Sequence, residues 1–159
     1  MKLLPTLFLI GLLMCPVQAA RRVGEAQVRT GKGNLPCFTI GDREESRGAS
    51  PDFQSVTVTA GERILWRMAM PRERTFALSA SMCIPYGGRV PALPQTPAAA
   101  LASGIIYAVQ LDTRSGKSAT EPVRYVTRFC LARRSNGAMR VRQIDPNEGQ
   151  GRDLYGCRA

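Results

Sequence analysis

From Leu35 to Ile144 the apolar residues return at every second position in short runs, and no stretch sustains a helical period for about ten residues. Alternation of this kind places successive side chains on opposite faces of an extended chain, the pattern of a half-buried strand. Leu35 to Ile40 opens the series and Gly41-Asp42 closes it; the charged stretch GDREESRGASPD that follows reads as a solvated loop. Phe53 to Thr59 turns Val56 and Val58 inward, and Ala60-Gly61-Glu62 reverses the chain. On the next strand Ile64, Trp66, Met68 and Met70 share one face, with Arg63 and Arg67 on the other. Pro71 ends it, Thr75 to Ala80 continues with Phe76 and Leu78, and Met82-Cys83-Ile84 is a further extended piece. Gly104 to Asp112 gathers Ile105, Tyr107, Val109 and Leu111 on one face, and Val123, Tyr125, Phe129 and Leu131 line the strand after it. Asn136-Gly137 is a tight-turn signal leading into Ala138 to Ile144.

Seven or eight short strands in a chain of this length most often pack as two antiparallel sheets. The stretch Leu101-Ala-Ser-Gly104-Ile-Ile-Tyr107 adds a local sign, a leucine six positions before a tyrosine that opens a strand. This resembles the corner of fibronectin-type sandwiches, where the tyrosine hydroxyl bonds back to the loop backbone; an ordinary core tyrosine is the alternative. The expected fold is all-β, a small antiparallel β-sandwich of immunoglobulin- or fibronectin-like form, stabilised by disulfides and occupying residues 35–159 as a single domain. Residues 20–34 (ARRVGEAQVRTGKGN) are polar and without apolar period, and read as a flexible basic lead-in, mobile or edge-pairing.

Residues 1–19 have the form of an export signal: Lys2 supplies a charged start, Leu3 to Met14 an apolar run too short to span a bilayer, and Val17-Gln18-Ala19 a small-residue cleavage site. Cleavage after Ala19 is expected. The alternative is lipidation at Cys15, which Met14 opposes because the lipoprotein peptidase needs a small residue at that place. The expected location is the periplasm, with membrane attachment only if Cys15 carries lipid. Residues 20–159 keep Cys37, Cys83, Cys130 and Cys157, an even count that outside the cytoplasm reads as two disulfides. Three pairings are possible. Cys37–Cys83 with Cys130–Cys157 is favoured, since the second bridge closes the shorter loop and secures a tail, DPNEGQGRDLYGC, that would otherwise fray.

The chain contains no histidine, which removes the usual general base, the Ser-His and Cys-His nucleophile systems and the commonest metal ligand. No C-x-x-C pair exists, and neither Gly31-Lys32-Gly33 nor Gly149-Gln150-Gly151 leads into a plausible phosphate-binding helix. A hydrolase using two carboxylates alone would draw on Asp42, Glu44, Glu45, Asp112, Glu121 or Asp145; three of these fall in one solvated loop and the others at strand ends or turns. No catalytic, cofactor-binding or metal-ligating residue is therefore assigned. Lys and Arg number 22 against 12 Asp and Glu, and beyond residue 19 only Lys32 and Lys117 are lysines. Arginine forks suit an acidic protein, an anionic glycan, lipid phosphates or nucleic acid, of which export makes nucleic acid the poorest fit; the plain alternative is solubility. Trp66 reads as core by its place in an apolar face, with a recognition anchor as the other possibility. Residues 85–99 (PYGGRVPALPQTPAA) carry four prolines and two glycines, giving a long stiffened loop. Tyr86 beside Arg89 is an aromatic-and-arginine pair of the kind found at binding hot spots, and these two are the candidate partner contacts. The competing reading is a rigid cover over one sheet edge.

The segments Leu35-Pro36-Cys37-Phe38-Thr39-Ile40, Ile64-Leu65-Trp66-Arg67, Met82-Cys83-Ile84-Pro85-Tyr86-Gly87, Gly104-Ile-Ile-Tyr107-Ala-Val109 and Tyr125-Val-Thr-Arg-Phe129-Cys130 occur in this order. In them the chain resembles the type VI secretion immunity periplasmic lipoproteins, from about Leu35 to Ile144, the C-I-P-Y-G element being the most characteristic. Members are described as small periplasmic proteins, usually lipid-anchored, that guard against effectors injected by rival or sister bacteria. The resemblance implies a non-enzymatic domain that binds an effector toxin, with arginines pairing to acidic residues in the toxin's cleft. It implies no cofactor and no nucleic-acid partner. The rival expectation is an envelope accessory binding module or an inhibitor of an exogenous cell-wall hydrolase; the positive charge argues against a basic lysozyme as the target.

Overall fold

In the computed structural model, which describes residues 22–90, 92–114, 121–145 and Cys157, eight strands form one curled sheet. In chain order these are β1 (Gly24–Thr30), β2 (Pro36–Ile40), β3 (Asp52–Ala60), β4 (Arg63–Ala69), β5 (Ile84–Pro85), β6 (Ile106–Arg114), β7 (Arg124–Arg133) and β8 (Met139–Ile144). The export signal, Cys15 and residues 146–156 of the tail lie outside the described residues. The sheet runs β4-β3-β6-β7-β1-β2-β5, and β8 also pairs with β7. The chain is thus all-β and disulfide-stabilised, but a single curled sheet takes the place of the expected immunoglobulin- or fibronectin-like pair of stacked sheets. The reason lies on one edge of β7. There β1 pairs in parallel at Gly24 and Glu25, opposite Tyr125 and Val126, and β8 takes over antiparallel from Arg128 onward. Having left β7, β1 continues antiparallel to β2, so hydrogen bonding passes without a break from one half of the fold to the other.

The curl brings distant strands to one core. Phe38 on β2 lies 5.7 Å from Phe129 on β7 and 6.4 Å from Trp66 on β4, ring centre to ring centre. Val56, Val58, Val109, Leu111 and Tyr125 close around them, all essentially buried. Tyr107 stacks on Phe129 at 5.3 Å, and its hydroxyl accepts from the Ala102 amide (2.8 Å) and donates to the Ala102 carbonyl (3.0 Å). The tyrosine corner read from Leu101 to Tyr107 is therefore present, on a curled sheet.

Three local expectations change. The lead-in of residues 20–34 contains β1, with Gly24, Ala26 and Val28 buried. Two of its three inward positions are glycine and alanine, so alternation exists without the bulk that marks a strand in sequence. Within the charged loop after β2, Asp42–Ser46 forms a short helix, α1, and Glu44 turns inward to 2% exposure. On β4, Ile64 is 54% exposed where an inward side chain was expected, because a bulge between Val58 and Thr59 shifts the register and turns Leu65 inward instead.

Both favoured disulfides are formed, Cys37–Cys83 and Cys130–Cys157. The second packs Cys157 with Cys130, Ile144 and Ile106 into a small apolar cluster separate from the main core. By the chain-entropy relation a bridge closing a loop of this separation, 27 residues, is worth about 3–4 kcal/mol. Replacing both Cys130 and Cys157 by serine is expected to lower unfolding free energy by about that amount, measured by urea denaturation.

Glu44 anchors the start of β1. Its Oε1 and Oε2 accept a two-pronged pair of bonds from Arg22 (2.9 and 2.7 Å), and Oε1 also accepts from Arg47 (3.2 Å) and the Glu25 amide (3.4 Å). The bonds from the Arg22 guanidinium hold its pKa below the ordinary carboxylate value against the opposing effect of burial. The folded pKa lies below the unfolded one, so the stabilisation is complete above the unfolded value of about 4.3 and is lost as pH falls through the lowered folded value. Urea midpoints of the wild type are expected to fall with acidification over that window, and Glu44→Gln, less stable at neutral pH, is expected to show a flatter profile there.

Candidate functional site

The proline-rich stretch lies along the outer edge of β4. The Ala69 amide donates to the Pro94 carbonyl (3.0 Å), the Thr96 amide to Arg67 (2.9 Å) and the Ala99 amide to Leu65 (3.0 Å), while Thr96 Oγ1 accepts from the Arg67 amide (2.9 Å). Within the stretch Thr96 and Ala99 supply the amide donors; Pro94, which has none to give, supplies only its carbonyl, and Pro97 falls between the two donors. On its other side the stretch meets residues 86 and 87. The Tyr86 hydroxyl donates to the Ala99 carbonyl (2.7 Å), and a Cβ on Gly87 would stand 2.9 Å from that of Ala98, at a backbone φ of +67° that also favours glycine. Residues 94–99 thereby seal the seam between the two ends of the strand path. The reading of this segment as a rigid edge cover is the one its hydrogen bonds match.

A groove of ≈ 600 Å³ follows the seam, lined by Trp66, Gly87, Arg89, Gln95, Thr96, Pro97 and Ala98. Arg89 stands exposed on it. Trp66, 1% exposed, belongs to the core and offers the groove only an edge. Tyr86 corrects the expectation made for it: at 6% exposure, with its ring 5.4 Å from Trp66 and 6.5 Å from Phe38, it is a packing residue. Burial, followed by the nearby Tyr107, raises the pKa of its hydroxyl, which is already committed to Ala99. The alternation Ile84 in, Pro85 out, Tyr86 in accounts for its direction.

A second feature was not singled out from sequence. From Val123 to Ile144 the chain holds six arginines and no acidic residue. Of these Arg124 is paired with Asp112 (3.1 Å). Arg133, Arg134 and Arg140 are exposed at the β7–β8 hairpin, and no salt bridge reaches them among the described residues. Two adjoining hollows of ≈ 480 and ≈ 190 Å³ share Arg134 and Arg140; the far walls are Val28 in one and Thr30 with Asn34 in the other. The uninterrupted arginine count was the available signal, but it does not by itself say that the guanidinium groups border one slot. Among the described residues no three His, Cys, Asp or Glu side chains gather as metal ligands.

The two residues singled out from sequence should now separate cleanly in stability. Tyr86→Ala empties a core position and breaks the bond that closes the seam, and is expected to cost about 3–5 kcal/mol. Arg89→Glu, exposed, is expected to stay within about 0.5 kcal/mol of wild type in the same urea titration.

Compared with models of known protein families, with curated proteins and with solved structures, the chain matches none.

Proposed function

We propose that this protein is a periplasmic binding protein that neutralises an effector toxin, of the kind delivered by type VI secretion, stoichiometrically and without catalysis. The observation that carries the reading is a rigid, twice-bridged β domain whose exposed arginines, Arg89 on the seam groove and Arg133, Arg134 and Arg140 on the hairpin, have no salt bridge among the described residues. Such a surface suits a partner with a carboxylate-lined cleft, because guanidinium forks pair with carboxylates in two-pronged fashion and long-range attraction speeds encounter. Two disulfides support an oxidising compartment, in line with the export signal. The resemblance of the segment order to the immunity lipoproteins points to a toxin as the partner, and the absence of histidine supports blocking over chemistry.

The test is co-expression in the periplasm with candidate effector toxins drawn from the neighbourhood of its gene. Survival is expected, together with a one-to-one complex on gel filtration. Arg89→Glu is expected to weaken that complex by about 2 kcal/mol if the seam groove is the contact. Death of cells that hold abundant folded protein would reject neutralisation, and protection by an envelope accessory would be recognised by its independence of any bound effector.

A further inference from the structure

β1 and the turn at Lys32–Asn34 lie alongside β8, and Gln143 bridges part of the gap: its Oε1 accepts from the Val28 amide (2.7 Å) and its Nε2 donates to the Ala26 carbonyl (3.4 Å). Two adjoining hollows, of ≈ 190 and ≈ 480 Å³, border this junction. Thr30 and Asn34 line the smaller one opposite Arg134 and Arg140. Asn34 is held there with a left-handed backbone (φ +59°), the one non-glycine residue so placed among the described residues. The larger hollow is bordered by the same two arginines and by Val28 and Val141, both nearly buried.

Across the β7–β8 ladder Arg140 lies opposite Ala132, two residues from Arg134, so the two arginines are diagonal neighbours on one face. Like charges so placed repel. No salt bridge reaches either one among the described residues, and no acidic residue occurs from Val123 to Ile144. A small anion between the two guanidiniums relieves that repulsion. Solubility explains exposed arginines, but it does not call for two of them to share two hollows with a hydroxyl and an amide on the facing wall. A carboxylate is planar and its two oxygens fill one guanidinium fork. A phosphomonoester presents three terminal oxygens, enough for both forks and for Thr30 or Asn34. Because β1 already lies along β8, the space suits a compact group and not a length of chain.

We propose that the slot at the β7–β8 hairpin is a binding site for a phosphomonoester. Arg134 and Arg140 clamp the phosphate from one side, and the Thr30 hydroxyl and Asn34 amide meet it from the other in the smaller hollow. The larger hollow, with Val28 and Val141 on its wall, takes the first carbons of the group that the phosphate esterifies. The inference does not rest on the proposed function, which keeps Arg89 and the seam groove for its protein partner.

Two probes carry the same head group: soluble glycerol phosphate, and phosphatidic acid in phosphatidylcholine vesicles. Each is added to the full, oxidised chain. Saturable binding of at least one is expected, by calorimetry for the first and vesicle co-sedimentation for the second, with the Arg134 and Arg140 side-chain Nε–H resonances shifted. Capture on vesicles alone assigns a lipid-borne phosphate, and binding of the soluble probe alone a free one. Arg134→Gln and Arg140→Gln are each expected to weaken binding by about tenfold or more. Arg134→Lys, which keeps the charge and loses the fork, is expected to fall between, and Arg72→Gln, exposed on the β4–β5 connection, to bind as wild type. Binding by the wild type is also expected to strengthen as pH rises through about 6, where the phosphomonoester loses its second proton while the arginines stay charged. That profile stands even if a variant folds poorly. Failure of both probes would overturn the site, as would wild-type affinity in both glutamine variants. So would tighter binding of a glutamate-rich peptide through the same two resonances, which would make the pair a contact for an acidic protein. Cell death in the co-expression test rejects neutralisation and leaves the phosphate site to be judged by these probes alone.

Discussion

Everything in this fold depends on how closely β1 approaches β7. A Cβ on Gly24 would stand 2.3 Å from the Tyr125 ring, so the two-residue parallel pairing at Gly24 and Glu25 exists only because position 24 has no side chain. Without that contact no backbone ladder would join β1 to the β4-to-β8 portion, and β2 and β5 reach the rest of the sheet through β1. The curl follows directly. After two residues β1 yields its place on β7 to β8 and swings toward β2, which carries Phe38 into the space between Phe129 and Trp66.

Polar side chains then hold what the ladders leave open. Gln143 acts as a short substitute for a neighbouring strand, offering β1 one acceptor and one donor at the correct spacing. Glu44 does comparable work at the start of β1, where its carboxylate gathers Arg22, Arg47 and the Glu25 amide at one point. A buried carboxylate is costly unless its lone pairs are occupied, and here they are. Tyr125 is less well served. Burial, with Glu44 and Glu121 adding to it, pushes its hydroxyl up to about 12, and that oxygen has no hydrogen-bond partner among the described residues.

The strands β3, β4, β6 and β7 and the β7–β8 hairpin were legible because Val, Leu, Phe and Tyr alternate there and Asn136-Gly137 marks the turn. The cysteine pairing was legible from loop length and from a tail that needed securing. The first strand was not, since glycine and alanine at its inward positions satisfy a crowded interface while leaving no apolar signature. Nor was the direction of Glu44, because a carboxylate in a charged stretch looks solvated until the arginines that cover it are placed. In the proline-rich stretch the sequence shows an ordered loop and an arginine on its surface, but the nearness of Tyr86 to Arg89 in the chain masks the inward parity it shares with Ile84. The arginine-bordered slot between β1 and β8 escaped because it is made by two strands about a hundred residues apart, bridged by the side chain of Gln143 and not by a backbone ladder.

The unequal edges of the sheet have a consequence for self-association. Growth of a fibre by strand pairing needs two complementary open edges on each molecule, so that every added copy presents a fresh end. Here residues 94–99 occupy the β4 edge, and β5 at the far end of the path is two residues long, one of them a proline. Along β8 the room for a further strand is already taken: β1 and residues 32–34 lie within 8 Å of it, Cα to Cα, and Gln143 meets the β1 backbone with its side chain. Strand-by-strand growth therefore finds no edge of useful length standing clear among the described residues.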